Sequence, residues 1–457
     1  MIARALRIIA MLAASGAQAQ SNVDIPVDQA RTIATRAVLA GDLALAREIA
    51  LQLLTVDPDD RTALIVIAAT APQMGDPSAG RVAGARAWGL SVTNAEKYEA
   101  ARLTALAAAN EGRFTLSTLW LRRALTVAPD DAEYARTIAD ARTVARRNPW
   151  STSVGFSISP SNNVNGGAKS PTVTTNGAPT GGTLTRDALA LEGIRATFNF
   201  RTQYRLHADA SRRTTVALRY QGARVKLTED VDIPDASFAT NTFEGSVRYD
   251  HALDIGSYGL GFAVGRSDYR DVDRSDLSTD MEFYANVRIS ADYRRPLSSA
   301  TEINLSTQAE RLSYRNANIG DVDRVTLQTG IIHQLASGDA WRASLSYTDS
   351  DGDSVNYTSD MWTLQGAYFW KDPIGAVSLS VGAGLSWANY PDYQLLGSVA
   401  GGRQDTTVFC NVNIGFPDIA YAGFVPGVTV NHSISDSNVS RFTRDTLSVG
   451  LTVNSVF

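Results

Sequence analysis

The chain has 457 residues, 44% hydrophobic and 19% charged, with a formal net charge of -5. That length accommodates two or three domains, and the mild acidity lacks the basic stripe of a nucleic-acid binder, so no nucleic-acid partner is expected. Cys410 is the sole cysteine, which excludes an intramolecular disulfide and a multi-cysteine metal site and suits export through an oxidising compartment.

Residues 1–19 read as a secretory signal peptide. Arg4 and Arg7 supply the positive region, Ile8 to Ala14 the apolar core, and Ala17-Gln18-Ala19 a small-x-small cleavage site. Gln20, rather than a cysteine, would head the mature chain, so no lipid anchor is expected there. No later stretch runs to about 18 uninterrupted apolar residues, which leaves a β-barrel as the route into a membrane.

Residues 20–147 are Ala- and Leu-rich, with apolar positions three and four apart, the helical period. Two segments resemble each other: Gly41-Asp42-Leu43 leading to Val56-Asp57-Pro58-Asp59-Asp60, and Gly112-Arg113-Phe114 leading to Val127-Ala128-Pro129-Asp130-Asp131. Gly41 and Gly112 are 71 residues apart, as are Pro58 and Pro129. That is about twice the 34-residue tetratricopeptide period, so a degenerate middle repeat is expected near 75–94. Glycine lets two antiparallel helices meet closely, while Pro-Asp-Asp stops one helix and caps the next. The expectation is an all-α, tetratricopeptide-like solenoid of about three repeats, closed by a helix over 131–147. Its concave surface suits a protein or peptide; a spacer or a plug for a barrel is the bland alternative.

At Asn148-Pro149-Trp150 the composition turns to alternating strands. Phe283, Val287, Ile289 and Tyr293 fall on one face, and Glu282, Asn286, Arg288 and Asp292 on the other. Short turns at 209–212, 254–257, 295–299, 337–339, 371–374 and 417–420 alternate with longer polar loops at 160–184, 228–241, 267–280, 315–321, 349–356, 390–403 and 435–441. This is the pattern of an outer-membrane barrel. Trp150, Tyr204, Tyr258, Tyr293, Trp341 and Trp370 stand beside the short turns as an interfacial girdle. The count of turns and loops gives a 14-stranded antiparallel transmembrane β-barrel over 148–457, although the alternation changes phase at Arg311-Leu312. The inward face then carries Arg195, Arg201, Arg205, Arg219, Arg248, Glu282, Arg288, Asp292, Glu302, Glu310, Arg324 and Arg342, mixed signs that imply a hydrated interior. On a strand, Cys410 reads as a small apolar packing residue. Leu451, Val453 and the terminal Phe457 share one face and resemble the signal read by barrel-assembly machinery, an expected partner alongside outer-membrane lipid and lipopolysaccharide.

A signal peptide, a short tetratricopeptide-like domain, the Asn148-Pro149-Trp150 junction and a fourteen-strand barrel together resemble the surface lipoprotein assembly modulator family. Many members open their first extracellular loop with a Pro-x-Asn-x-Asn stretch, which Pro160-Ser161-Asn162-Asn163-Val164-Asn165 resembles. The resemblance implies an outer-membrane translocon that moves client proteins, lipidated or secreted, to the cell surface, with the helical domain engaging them in the periplasm. It transfers no catalytic motif and no cofactor. The rest of loop 160–184, rich in Gly, Thr and Asn, departs from the family pattern and leaves the client open.

Other motifs read as structure. Asp349-Ser350-Asp351-Gly352-Asp353 resembles the start of a calcium loop but lacks the closing glutamate, so it reads as an acidic loop among lipopolysaccharide phosphates. Asp268, Asp271, Asp273, Asp276 and Asp280, interleaved with arginines, read as a solvated network. His207, His251, His333 and His432 lie on different strands without a serine–aspartate partnership, so no enzyme is expected. Two rival functions remain: an exopolysaccharide export channel, which usually carries more repeats and more strands, and a solute porin with an accessory domain.

Overall fold

The computed structural model describes residues 5–8, 23–272 and 279–455; the expected cleavage site and Phe457 lie outside them. The chain separates into a helical unit that ends at Asn148 and a barrel unit that starts at Pro149. At the head of the helical unit, Ala5–Ile8 runs antiparallel to Val23–Pro26.

Seven α-helices follow in the described residues: α1 (Val27–Ala40), α2 (Leu43–Val56), α3 (Arg61–Thr70), α4 (Pro77–Leu90), α5 (Asn94–Asn110), α6 (Phe114–Leu125) and α7 (Asp131–Arg147). Asp42, Asp60, Asp76 and Asp130 each accept a hydrogen bond from the backbone N–H three residues on, and Thr93 with Glu96 forms a reciprocal capping box. Gly41, Gly75 and Gly112 have φ of 79°, 82° and 79°, the left-handed turn that ends one helix before the next begins. Gly75 closes a 3-10 turn over Ala71–Met74 that follows α3. The core is built on alanine: Ala30, Ala34, Ala46, Ala50, Ala63 and Ala68 are fully buried around Ile49, Leu53 and Ile67. Small side chains let the helix axes approach closely. No helix among the described residues is long and apolar enough to cross a membrane.

The second unit is a closed antiparallel barrel of fourteen strands. Its first seven strands are β1 (Trp150–Ser161), β2 (Gly193–Ala208), β3 (Arg212–Leu227), β4 (Thr240–Leu253), β5 (Gly256–Val272), β6 (Thr279–Pro296) and β7 (Thr301–Tyr314). The rest are β8 (Asp321–Gln334), β9 (Ala340–Gly352), β10 (Ser359–Phe369), β11 (Ser378–Tyr390), β12 (Arg403–Gly415), β13 (Phe424–Ser437) and β14 (Arg444–Ser455). β14 returns to pair with β1, Ser448 opposite Ser161 and Leu451 opposite Ile158. Closure satisfies the backbone groups that a sheet edge would expose to hydrocarbon.

One face of the sheet exposes Phe156, Leu218, Leu260, Ile289, Leu327 and Val408, an apolar belt facing outward. Leu451 and Val453 belong to the same belt, at 64% and 45% exposed. The girdle aromatics pair at the short-turn end: Trp150 with Tyr204 and Tyr368 with Trp370, each with ring centroids 4.8 Å apart. Cys410, opposite Ala383 on β11, is exposed.

Three local expectations change. The 267–280 loop is largely strand, because β5 and β6 stay in register from Ser267–Tyr284 to Val272–Thr279, and only 273–278 fall outside the described residues. Charge density there signals a hairpin standing in water rather than irregular backbone. The acidic run 349–353 likewise belongs mostly to β9, which ends at Gly352. Asp349 and Asp351 therefore share one exposed face of an extended strand, with Ser350 buried between them, instead of wrapping a cation in a loop. β7 runs unbroken through Arg311-Leu312. Its apparent phase change is an inversion of polarity. Outside the sheet, Arg311 donates to Asp323 at 2.7 Å. Inside, Leu312 and Val322 are 5% and 1% exposed.

A row of small residues on β5, Gly259, Gly261, Ala263 and Gly265, stands opposite Asp292, Ser290, Arg288 and Asn286 of β6. A Cβ at Gly259 would overlap the Arg248 guanidinium and lie 2.9 Å from Asp292 Oδ1. Gly259→Val should therefore lower barrel stability by about 1–3 kcal/mol through overpacking. The check is the temperature at which unboiled protein loses its compact mobility on a gel.

Candidate functional sites: a helical groove and a polar barrel interior

The helical unit is stapled along its length by arginines. Arg31 on α1 donates to Asp60, the cap of α3, at 2.8 Å, and Arg47 on α2 donates to Asp76, the cap of α4, at 3.0 Å. Arg61 on α3 reaches Ser91 and Glu99 around the start of α5, both at 3.0 Å. Arg81 on α4 meets Glu111 just ahead of α6 at 2.5 Å, and Arg102 on α5 meets Glu133 in the first turn of α7 at 3.0 Å. Each of the first five helices thus fixes the start of the helix two places on. A spacing of about 30 residues between partners is the signal that would have disclosed this ladder in the sequence.

Two of these staples, Arg61 with Glu99 and Arg102 with Glu133, border a groove of about 990 Å³ within the helical unit. Val38, Ile65, Leu103 and Leu106 form its apolar floor, with Leu39 and Leu106 at 83% and 50% exposed. Arg61, Glu99, Arg102, Glu133 and Asp140 form a rim of both signs. The Tyr98 hydroxyl donates to Glu133 Oε2 at 2.7 Å and lies 2.8 Å from Thr137 Oγ1, while Arg102 also pairs with Asp140. An apolar floor with a paired, polar rim suits an extended or helical peptide with an apolar face.

Three glutamates here are held below the usual carboxylate range. The Tyr98 hydroxyl does this for Glu133, the Arg81 guanidinium for Glu111 and the Thr93 backbone N–H for Glu96. A carboxylate with a depressed folded-state pKa contributes stability above its unfolded pKa and loses it as pH falls through the folded one. The helical ellipticity of the full chain should therefore melt at a lower temperature as pH drops from about 5 to about 3.

On the polar face of the sheet, two ion-pair chains cross the small-residue row of β5. Arg248 on β4 pairs with Asp250 at 2.8 Å and with Asp292 of β6 at 2.7 Å, and Arg294 lies 3.5 Å from Asp292. Arg288 on β6 bonds Glu244 of β4 and lies 3.6 Å from Glu310 of β7, which is 3.9 Å from Arg324 of β8. Side chains of β4 and β6 meet only because β5 between them presents glycine. Glu244 and Asp250 are not among the residues selected from the sequence.

The remaining sequence-selected residues lie apart from these chains. Arg195 donates to the Val164 carbonyl at 2.6 Å. Arg201 and Arg219 stand directly opposite each other and reach Gln203 at 3.5 Å and Gln221 at 2.8 Å. Arg205 donates its backbone N–H to the Pro149 carbonyl at 2.9 Å. The Arg342 guanidinium sits 5.3 Å from the Phe369 ring centre, Glu302 faces Ile332, and Glu282 keeps a buried Oε2 without a hydrogen bond. The four histidines stay separate, beside Asp209, Tyr249, Thr301 and Asp445. No group of three metal-ligating side chains occurs among the described residues.

The asparagine stretch organises the long loop between β1 and β2. Asn162 bonds the seam strand, its N–H to the Leu447 carbonyl at 3.3 Å and its Oδ1 from the Leu447 N–H at 2.8 Å. Asn163, 4% exposed, exchanges two bonds with Gly167. Asn165 donates to the Leu189 and Asp187 carbonyls at 2.7 and 2.9 Å and accepts from the Leu191 and Gly167 N–H groups at 3.0 and 3.3 Å. Beyond it, the hairpin of Thr172–Thr175 and Ala178–Thr183 is tied to the outer ends of the last strands. Asn176 and Asn438 bond side chain to side chain at 2.9 Å, and Ser440 accepts from the Thr174 N–H at 2.8 Å. Arg403 stacks against Phe442 and Tyr390, at 3.4 and 4.0 Å from their ring centres. Asn165→Ala removes a partner from the Leu189 and Asp187 carbonyls and from the Leu191 N–H, while the Gly167 N–H keeps Asn163. The substitution should loosen the loop by about 2–4 kcal/mol and render 162–192 cleavable by protease added to intact cells.

A closed, apolar-belted barrel with aromatic pairs at its short-turn end and a polar interior defines an outer-membrane β-barrel protein. Residues 150–457 match the surface lipoprotein assembly modifier family, and the chain belongs to it. That family and this fold give it an outer-membrane location and a role in surface lipoprotein assembly, and both are non-enzymatic in kind. Among solved structures the likenesses are distant. The OccAB3 structure of Acinetobacter baumannii shows 10% identity, covering 66% of this chain and 98% of that one with a TM-score of 0.36. A Pseudomonas aeruginosa FadL homologue shows 10% identity, 67% and 90% coverage and a TM-score of 0.36. The TodX deltaS2S3 mutant, a monoaromatic hydrocarbon channel, shows 9% identity, 68% and 91% coverage and a TM-score of 0.37. The curated proteins contain no match.

Proposed function

We propose that this protein delivers lipidated client proteins across the outer membrane. In this reading residues 1–19 are a cleaved signal peptide, residues 20–147 form a periplasmic tetratricopeptide-like domain, and residues 148–457 form the membrane barrel. The helical groove holds an extended or amphipathic segment of the client, anchored on the Leu39 and Leu106 floor. The arginine, aspartate and glutamate side chains selected from the sequence line the barrel lumen and present a hydrated, charge-neutralised path to the polypeptide. Leu451, Val453 and Phe457 serve recognition by barrel-assembly machinery, and no residue acts catalytically.

The observation that carries this reading is the family match across the whole barrel. The groove supports it by supplying a peptide-sized, apolar-floored site on the exported chain. The test is surface exposure of a co-expressed lipoprotein, read by protease added to intact cells. Leu39→Glu with Leu106→Glu buries charge under any bound peptide and should reduce exposure about tenfold or more, while the barrel still migrates as folded. Deletion of the gene with every surface protein unchanged refutes the proposal, and ohmic conductance of small solutes without client dependence favours a porin.

A further inference from the structure

The lipid-facing wall of the barrel is dented on one side. On β6 and β7 the outward positions Ala291 and Thr307 are small and stand opposite each other, and on β8 the small Thr329 stands opposite Leu305. The floor is therefore low between Tyr293, Leu305 and Leu327, whereas Leu385, Val408 and Ile434 stand side by side on β11, β12 and β13. The dent is a groove of about 640 Å³ lined almost wholly by apolar surface. It runs across the strands from Tyr258 on β5 to Trp362 on β10, five strand steps or about 24 Å at the usual spacing. A trough that long and narrow fits a single hydrocarbon chain better than a compact ligand.

Its two ends differ. At one, Tyr347 and Trp362 pack with ring centroids 4.8 Å apart. At the other, the Tyr293 hydroxyl donates to the Ile255 carbonyl in the β4–β5 turn at 3.4 Å, which fixes this end at the short-turn interface of the membrane. Two residues along the same outward face stands Arg295, exposed, and among the described residues it has no carboxylate within ion-pair reach. A cation at the interface, next to an apolar trough in the hydrocarbon, complements a chain that carries a phosphate at its head.

We propose that this groove seats one acyl chain of a glycerophospholipid from the leaflet on the short-turn side, with its phosphate on Arg295. The wall between β5 and β10 thus holds a lipid in a fixed place, while the wall between β11 and β13 is wetted by lipid at random.

The experiment uses the full chain in vesicles of phosphatidylethanolamine and phosphatidylglycerol, with a trace of phosphatidylethanolamine bearing a diazirine in one acyl chain. Photolabelled peptides are mapped by mass spectrometry. Labelling of 287–309 and 321–334 should exceed that of 403–437 several-fold. Ala291→Phe with Thr307→Phe should bring it down to the level of the control wall, and Thr307→Leu serves where the double variant does not assemble. Arg295→Ala should weaken labelling about fivefold, the loss of one arginine beside anionic lipid. Even labelling around the barrel, or labelling indifferent to these fillings, overturns the proposal. So does full labelling in the Arg295→Ala variant. Competition by a phosphate-free triacylated lipopeptide as strong as that by phospholipid assigns the groove to a lipidated client instead. Chemical crosslinking of two barrels through Trp362 assigns it to a second copy.

Discussion

Every backbone N–H and C=O in a hydrocarbon layer has to find a partner within the protein, and in this chain that requirement is met by joining the last strand to the first. The junction between β14 and β1 is the place where the barrel would otherwise expose an edge, and Asn162 extends it with a side-chain oxygen standing in for a backbone carbonyl. From closure the rest follows. A closed sheet has an inside and an outside, so alternation becomes a division between a charged interior and an apolar belt. Strand number then sets the room available to the side chains within.

Closure also explains why the polarity of alternate positions is not constant along a strand. Within the belt, outward residues are apolar and inward ones charged. Past the belt, the outer face meets water and the inner face meets the folded loops. Val225 and Leu227 then cluster with Val164 and Leu191 beneath the first long loop, while Arg311 and Asp323 pair outside. The asparagines of the Pro160–Asn165 stretch owe their density to the same geometry. A loop folded over a barrel end has few backbone partners of its own, and a primary amide can satisfy two donors and two acceptors at once, as Asn165 does.

The helical unit solves a different problem by repetition. Its alanine core gives close approach but little directional information, since one alanine resembles another. The arginine staples to helix starts supply that direction: a one-turn slip of α1 against α3 would leave the Asp60 carboxylate, only 1% exposed, without its Arg31 partner. Stacking small residues and fixing the order with charge leaves the larger apolar side chains free for the groove floor.

Period alone determined a great deal here. Apolar residues three and four apart made 27–147 helical, strict alternation made 150–455 strand, and alternating short and long connections fixed the strand count at fourteen, because each of these is a local rule acting on neighbouring residues. What tertiary structure decided depends on residues brought together from far along the chain. The glycines of β5 look like weak strand formers until β4 and β6 are seen to clasp across them. The acidic runs near 271 and 351 look like loops until a partner strand accepts their backbone. The ion pairs across β5, the arginine ladder and the dent in the apolar belt are likewise products of register between strands or stacking between helices, and no single segment encodes them.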